Sequence, residues 1–117
     1  WDEFVEKLKE KLDNDNLTDK PILMTEFGAG AIYGDATFEA PKWTENYQEK
    51  LLKYTLELFH KDTRIQGSYI WQYADIRTSK EMAMGRPRSF NNKGIVNEYR
   101  KPKMAYWTVQ KIYNGIS

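Results

Sequence analysis

A short apolar run begins at a proline, ends at a glycine and reads Pro21-Ile22-Leu23-Met24-Thr25-Glu26-Phe27-Gly28. Proline and glycine often mark the ends of regular structure, so the residues between them form one short element. An uninterrupted apolar run of this length is typical of a β-strand that is covered on both faces, as in a parallel sheet. The run therefore predicts a buried parallel strand that ends at Glu26 and Phe27.

Helical patterns lie on both sides of this strand. The segment before it has acidic residues in its first turn and a polar run at residues 13–16, where the helix should end. Its apolar residues recur at helical spacing: Trp1, Val5, Leu8 and Leu12. The segment after the strand begins near Thr44, a suitable N-cap residue, and has one apolar face, formed by Tyr47, Leu51, Tyr54, Leu58 and Phe59.

A second strand and a last helix complete the pattern. Residues 65–71 are predicted to form the strand, and residues 78–92 form a long polar stretch in which no regular structure is expected. Pro102 suits the first turn of a helix that ends near Gly115. The order is α-β-α-β-α, and this alternation indicates an α/β fold with right-handed parallel crossovers.

Two parallel strands do not make a closed sheet. Each strand leaves an unpaired edge, which is a template for aggregation unless other strands cover it. The missing strands are therefore expected from elsewhere. Because the sequence also begins at Trp1 without an initiator methionine, residues 1–117 are interpreted as one piece of a larger domain, with no second domain of their own.

The composition excludes several classes of function. A formal net charge of +1 gives no electrostatic reason to expect nucleic acid or a membrane as a partner. The chain has no cysteine, so it has no disulfide or thiolate metal site, and no pattern of residues indicates a metal ion or another cofactor. No apolar run approaches the ~20 residues of a membrane-spanning helix. A cytoplasmic location is expected.

Glu26 is the first residue whose position calls for a chemical explanation. A carboxylate in a buried strand is costly unless it is solvated or paired, so the carboxyl-terminal tip of the strand is where one belongs. In βα-barrels that tip is also where catalysis takes place. A glutamate that only caps the following loop would fit the same position, and the strand by itself does not separate the two interpretations.

Two further segments carry candidate binding residues. Trp71 ends the second strand, where an indole ring either lines a sugar site or fills the top of the structure. Asn91 and Lys93 belong to residues 91–94, whose residue types are also common in solvent-exposed turns. An amide and an ammonium group two residues apart can bind one carboxylate, through a hydrogen bond and a charge-assisted hydrogen bond. Long loops are also more often functional than idle.

Three motifs, in this order, resemble those of glycoside hydrolase family 2. Residues 20–28 resemble the strand that carries the family's nucleophile, and residues 70–75 are similar to its last barrel strand. Residues 91–95 resemble the Asn-x-Lys motif of the family's β-glucuronidases, which is usually interpreted as binding the C6 carboxylate of the sugar. Residues 100–103 match the start of its final helix. The resemblance implies the last two β/α units, and thus the C-terminal part, of a TIM (β/α)₈ barrel.

The resemblance also implies a function. A retaining hydrolase of this kind would cleave β-glucuronides through a covalent intermediate on Glu26, with Trp71, Asn91 and Lys93 at the sugar. Retaining hydrolysis uses two carboxyl groups about 5–5.5 Å apart, and the family's acid/base glutamate belongs to an earlier strand. The chain is therefore expected to be inactive without the N-terminal remainder of the enzyme. A homo-oligomeric parent enzyme is compatible with the sequence.

Alternatives remain open. Lys93 does not distinguish sugars that differ at C4, so a family 2 β-galacturonidase or β-galactosidase competes with a β-glucuronidase. A non-catalytic carbohydrate-binding scaffold is the alternative that is not an enzyme. Such a scaffold would keep the aromatic residues, but it has no need of a glutamate at the tip of a buried strand.

The sequence also departs from the family pattern. β-Glucuronidases often carry an arginine four residues before the asparagine of the Asn-x-Lys motif, whereas Pro87 occupies that position here. Arg86 and Arg88 lie on either side of it, and the sequence does not choose between them. Gln72 stands where asparagine is commoner. The Asn-Glu pair at residues 97–98 looks like the family's acid/base dipeptide, but it follows the last strand and is interpreted as unrelated to catalysis.

Overall fold

The computed structural model describes residues 1–115, in which three α-helices alternate with two parallel strands. Residues 116–117, the last two of the expected domain, lie outside the described part of the chain. The elements are α1 (Asp2–Asn14), β1 (Ile22–Phe27), α2 (Glu45–Lys61), β2 (Ile65–Ile70) and α3 (Met104–Asn114). The predicted order α-β-α-β-α is confirmed. The predicted N-cap of α2 is confirmed too, because the hydroxyl of Thr44 accepts a hydrogen bond from the main chain of Tyr47.

The core lies between the helices and one face of the two strands. Phe27 of β1 and Phe59 of α2 meet edge to face, with ring centroids 5.1 Å apart. Burying an aromatic or aliphatic side chain of this size contributes about 1.5–3 kcal/mol. The buried members are Val5, Ile22, Met24, Phe27, Leu52, Leu56, Phe59, Ala105 and Val109. Within residues 1–115, none of the helices combines the length and the apolar character that crossing a bilayer requires.

Within residues 1–115, one of the two faces of β1 is covered and the other is exposed. Leu23 is 56% exposed and Tyr69, on the neighbouring strand, is 61% exposed. Side chains alternate across a strand, so the face opposite to the helices carries these residues and no element of residues 1–115 covers them. The apolar composition of β1 therefore fits a strand that needs partners on its second face.

The long polar stretch is more ordered than its composition predicts. It holds a two-residue antiparallel pair, β3 (Ile76–Arg77) with β4 (Phe90–Asn91), and two short 3₁₀ turns, Lys80–Gly85 and Pro87–Ser89. The carbonyl oxygen of Ser89 accepts hydrogen bonds from both the main-chain N–H and the hydroxyl of Thr78. Short polar side chains bond to nearby main chain in this way, and such local bonds are hard to infer from composition.

The start of α3 also differs from the prediction. The helix begins at Met104 with Lys103 as its N-cap residue, so Pro102 precedes the helix instead of lying in its first turn. Lys103 makes no side-chain cap. Instead, the carboxylate of Glu45, at the start of α2, accepts a hydrogen bond from the Met104 N–H at 2.7 Å and one from the Gly34 N–H at 2.7 Å. One buried carboxylate thus ties α3 to the β1–α2 loop.

Replacing Glu45 with glutamine is therefore expected to destabilise the intact protein by about 1–3 kcal/mol, because one of the two main-chain N–H groups then faces an amide donor and its part-buried hydrogen bond is lost. Thermal unfolding of the intact protein would measure the loss. Glu57→Gln is the matched control, since Glu57 is an exposed residue of the same helix. Surface changes of that kind are usually within about 0.5 kcal/mol. Equal shifts for the two variants would contradict the capping role.

Candidate active site

A cavity of about 490 Å³ lies at the carboxyl-terminal ends of β1 and β2. All four predicted site residues line it: Glu26, Trp71, Asn91 and Lys93. They come from separate places in the chain, namely the end of β1, the residue after β2, the end of β4 and the loop that follows it. The structure therefore brings together the residues that the sequence singled out, while their chemical roles remain predictions.

Glu26 occupies a β-bulge at the end of β1. Thr25 lies opposite Tyr69 and Phe27 opposite Ile70, so Glu26 is the extra residue of the register. Its φ of +57° lies in the left-handed region, which residues other than glycine rarely adopt. Bulges of this kind turn a side chain out of the regular alternation and are common beside active sites. The carboxylate of Glu26 is consequently directed to the cavity while Phe27 remains in the core.

Gly28 allows the main chain to pass close to Trp71. A Cβ atom on Gly28 would lie 2.5 Å from the carbonyl oxygen of Trp71, which no side chain could accommodate. The N–H of Trp71 donates to the carbonyl oxygen of Phe27 at 2.9 Å. The residue after β2 is thereby held against the residue that follows Glu26, so the indole and the carboxylate share one cavity.

The Asn91–Lys93 turn presents hydrogen-bond donors. The side-chain oxygen of Asn91 accepts the N–H of Lys93 at 3.1 Å, which leaves the amide NH₂ of Asn91 as its donor group. The carbonyl oxygen of Lys93 accepts the N–H of Gln72 at 3.0 Å, so the main chain of Lys93 is fixed beside Trp71. Within residues 1–115, the ammonium group of Lys93 forms no ion pair. An amide and a cation therefore face the cavity, which suits an anionic ligand.

The structure separates the two arginines that the sequence left equivalent. Arg86 lines the cavity with Lys93. Arg88 is instead engaged elsewhere, because its guanidinium group donates to both carboxylate oxygens of Glu98, at 3.0 and 3.1 Å. Sequence reasoning did not choose Arg86 because the family spacing falls on Pro87, between the two.

Trp1 and Met82 also line the cavity and were not predicted to do so. The ring of Trp1 packs edge to face on Phe27, with centroids 6.4 Å apart, and on Phe59, with centroids 5.7 Å apart. These contacts depend on how α1 docks on the core. Helical spacing marks Trp1 only as an apolar residue, so no signal in the sequence could have placed it at the cavity.

Glu98 does not have the surroundings of a catalytic acid. The hydrogen bond from Arg88 lowers the pKa of Glu98, whereas a general acid needs a raised pKa. The preceding residue, Asn97, is buried, and its side-chain oxygen accepts the main-chain N–H groups of Tyr99 and Lys101. The Asn-Glu pair thus organises the turn before α3.

Gln72 lies away from the Glu26 cavity. Its side chain lines a separate cavity of about 250 Å³, together with Tyr73, Ile95 and Val109. Its amide nitrogen is buried and has no hydrogen-bond partner among the described residues. The departure from the family pattern at this position therefore does not alter the wall of the cavity that holds Glu26.

Comparisons with known proteins identify a family model over the whole chain and curated relatives over most of it. The family model described as glycosyl hydrolases family 2, TIM barrel domain, matches residues 1–117. A β-glucuronidase of Paenibacillus borealis is 35% identical over 86 residues, which is 74% of this chain and 14% of that protein. The human β-glucuronidase is 36% identical over 98 residues, which is 80% of this chain and 14% of that protein. The chain therefore spans about one seventh of the length of these curated relatives.

A solved structure is similar over almost the whole chain. It is the crystal structure of a β-galacturonidase from Eisenbergiella tayi bound to galacturonate, with a TM-score of 0.91 and 42% sequence identity. The match covers 98% of this chain and 21% of that one. The fold of this chain is therefore similar to part of that structure, whose chain is several times longer.

Proposed function

Since this chain belongs to glycosyl hydrolase family 2 and forms part of the family's TIM barrel, as the sequence predicted, we propose that it supplies the nucleophile and the carboxylate-binding residues of a retaining β-uronidase. The chain is β-glucuronidase-like in sequence, and β-glucuronides are the proposed substrates. The observation that carries the proposal is the single cavity shared by Glu26, Trp71, Asn91 and Lys93.

Glu26 is the proposed nucleophile. Its carboxylate attacks the anomeric carbon and forms a covalent glycosyl ester, while a second carboxylic acid protonates the leaving oxygen. The same second group then activates the water that hydrolyses the ester. Among the described residues that line the cavity, Glu26 is the one carboxylate. The acid/base residue is therefore expected from the remainder of the barrel, and activity requires the intact enzyme.

The positive groups of the cavity favour a uronic acid. Lys93 and Arg86 are cationic, and the amide of Asn91 donates hydrogen bonds. A carboxylate at C6 of the sugar would accept charge-assisted hydrogen bonds from these groups, whereas the neutral CH₂OH of a hexose would leave the cations without a partner. Trp71 supplies an apolar wall on which the carbon–hydrogen face of a sugar ring can pack.

β-Galacturonides are the second candidate substrates. The structure with 42% identity to this chain is a β-galacturonidase, whereas the two β-glucuronidases compared above are 35% and 36% identical to it. Glucuronate and galacturonate both carry the C6 carboxylate and differ at C4. The residues proposed to bind the carboxylate do not distinguish the two configurations at C4.

A panel of four aryl β-glycosides tests the proposal in the intact enzyme: the glucuronide, the galacturonide, the glucoside and the galactoside. We expect kcat/KM for the better uronide to exceed that for either neutral sugar by at least about 30-fold, the factor that a buried charged contact of about 2 kcal/mol provides. The ratio between the two uronides identifies the epimer. Faster hydrolysis of a neutral glycoside would overturn the proposal.

A further inference from the structure

We propose, on the basis of the function proposed above, that Lys103 and Asp75 are positioning residues that place Lys93 at the cavity. They form a buried ion pair that binds the main chain on both sides of Lys93. Neither residue lines the cavity that holds Glu26. They therefore act on the sugar carboxylate through the segment that carries Lys93.

Lys103 binds one side of this segment. Its side chain is fully buried, and its ammonium group donates to the carbonyl oxygen of Asn92 at 3.1 Å, to the carbonyl oxygen of Ala31 at 2.6 Å and to the carboxylate of Asp75 at 2.9 Å. These bonds use all three N–H groups of the ammonium. The residue before Lys93 is thus tied to α3 and to the loop that follows β1.

Asp75 binds the other side. The same oxygen that pairs with Lys103 accepts the N–H of Gly94 at 2.9 Å. Gly94 lies directly against the main chain of Asp75, because a Cβ atom on Gly94 would be 2.3 Å from the main-chain nitrogen of Asp75. Its carbonyl oxygen accepts a further hydrogen bond from the buried side chain of Gln48 at 2.9 Å. Lys93 is consequently flanked by two residues whose main chain cannot shift without breaking buried bonds.

Stability alone does not account for this ion pair. Burial lowers the pKa of Lys103 and raises the pKa of Asp75, so each charge is disfavoured by its surroundings. Replacing a buried pair by apolar residues of similar volume is often neutral or even stabilising. What apolar residues could not provide is the pair of hydrogen bonds to Asn92 and Gly94. The two charged residues therefore fix the geometry of the Lys93 segment.

The test compares substrates in the intact enzyme that carries Lys103→Met together with Asp75→Leu, because leucine, unlike asparagine, has no oxygen to accept the N–H of Gly94. The double change avoids an unpaired buried charge, which would destabilise the fold in either single variant. We expect KM for the better uronide to rise at least about tenfold, with kcat for a neutral glycoside within about threefold of the unmodified enzyme. A merely structural role would lower the active fraction, so kcat would fall equally for all substrates while KM stayed constant. That second pattern would overturn the proposal.

Glu45→Gln is the matched control. The carboxylate of Glu45 binds the main chain of Met104 and Gly34, and its hydrogen bonds do not involve residues 92–94. The Glu45→Gln change should lower the unfolding temperature while leaving KM for the uronide unchanged. A rise in KM as large as that of the double variant would show that general loosening of this region is sufficient, and would overturn the specific role of Lys103 and Asp75.

Amide hydrogen exchange keeps this inference separate from the proposed function. If the unmodified enzyme shows no preference for uronides, the proposed function fails. Exchange at Gly94 then decides the placement on its own, because its amide is buried and donates to Asp75, and buried, hydrogen-bonded amides exchange slowly. Exchange at least about tenfold faster in the double variant would support the anchoring of the segment. Unchanged exchange would overturn it, whatever the substrate.

Discussion

Changing Glu26 to glutamine is expected to lower kcat of the intact enzyme on an aryl β-uronide by at least about 10³-fold, equivalent to about 4 kcal/mol of lost transition-state stabilisation. The amide keeps the size of the side chain and its place in the bulge. It is, however, a far weaker nucleophile than the carboxylate and does not form the glycosyl ester. Initial rates, with thermal unfolding measured alongside, would separate lost chemistry from lost fold.

Glu98→Gln is the matched control for this change, because Glu98 belongs to the Asn-Glu pair that resembles an acid/base dipeptide. Glu98 does not line the cavity that holds Glu26, so activity should stay within about fivefold. Activity of Glu26→Gln near that of the unmodified enzyme would remove Glu26 from the mechanism, and a large loss in Glu98→Gln would revive the rejected assignment.

Covalent trapping distinguishes an enzyme from a binding scaffold. A fluorinated uronide with a good leaving group forms the glycosyl ester and then hydrolyses very slowly, so the nucleophile remains labelled. Mass spectrometry of the digested enzyme should find the label on the peptide that contains Glu26. A non-catalytic scaffold would bind the same compound without becoming labelled, and a label on another carboxylate would refute the assignment.

The parts of the site that the sequence predicted are those set by local signals. The proline and glycine around β1 located the strand and its end, and the spacing of apolar residues located α2. Thr44 was recognised as an N-cap because capping involves residues only three apart. The four predicted site residues followed from strand ends and from family motifs, and all of them reach one cavity.

The parts that the sequence did not predict depend on contacts between distant segments. Asp75 and Lys103 are 28 residues apart, and neither looks unusual before the fold brings them together. The bulge at Glu26 arises from the register between two strands, which an apolar pattern does not specify at a single residue. The choice of Arg86 over Arg88 likewise depends on Glu98, which captures the second arginine.

Changing Lys93 to methionine should produce the second large effect, a loss of about 30- to 5,000-fold in kcat/KM on the uronide. This corresponds to the about 2–5 kcal/mol that truncating one partner of a buried charge pair costs. Methionine keeps an unbranched apolar side chain and removes the ammonium group. Neutral glycosides have no carboxylate that Lys93 could bind, so kcat/KM for them should change by less than about fivefold. The change in the ratio between the two substrate classes is therefore the measurement that matters.

Lys101→Met is the matched control, because Lys101 is exposed and does not line the cavity. Equal losses of kcat/KM in the two lysine variants would indicate a general effect of net charge on substrate attraction.

Arg86→Met provides the contrasting case. If Arg86 alone bound the carboxylate, Arg86→Met would lower kcat/KM on the uronide strongly and Lys93→Met would lower it only slightly. If both bind it, the loss of free energy in the double variant should differ from the sum of the two single losses, because two groups that share one carboxylate are not independent. A Lys93→Met enzyme that keeps its uronide preference would show that the Asn-x-Lys turn does not recognise the sugar in this protein.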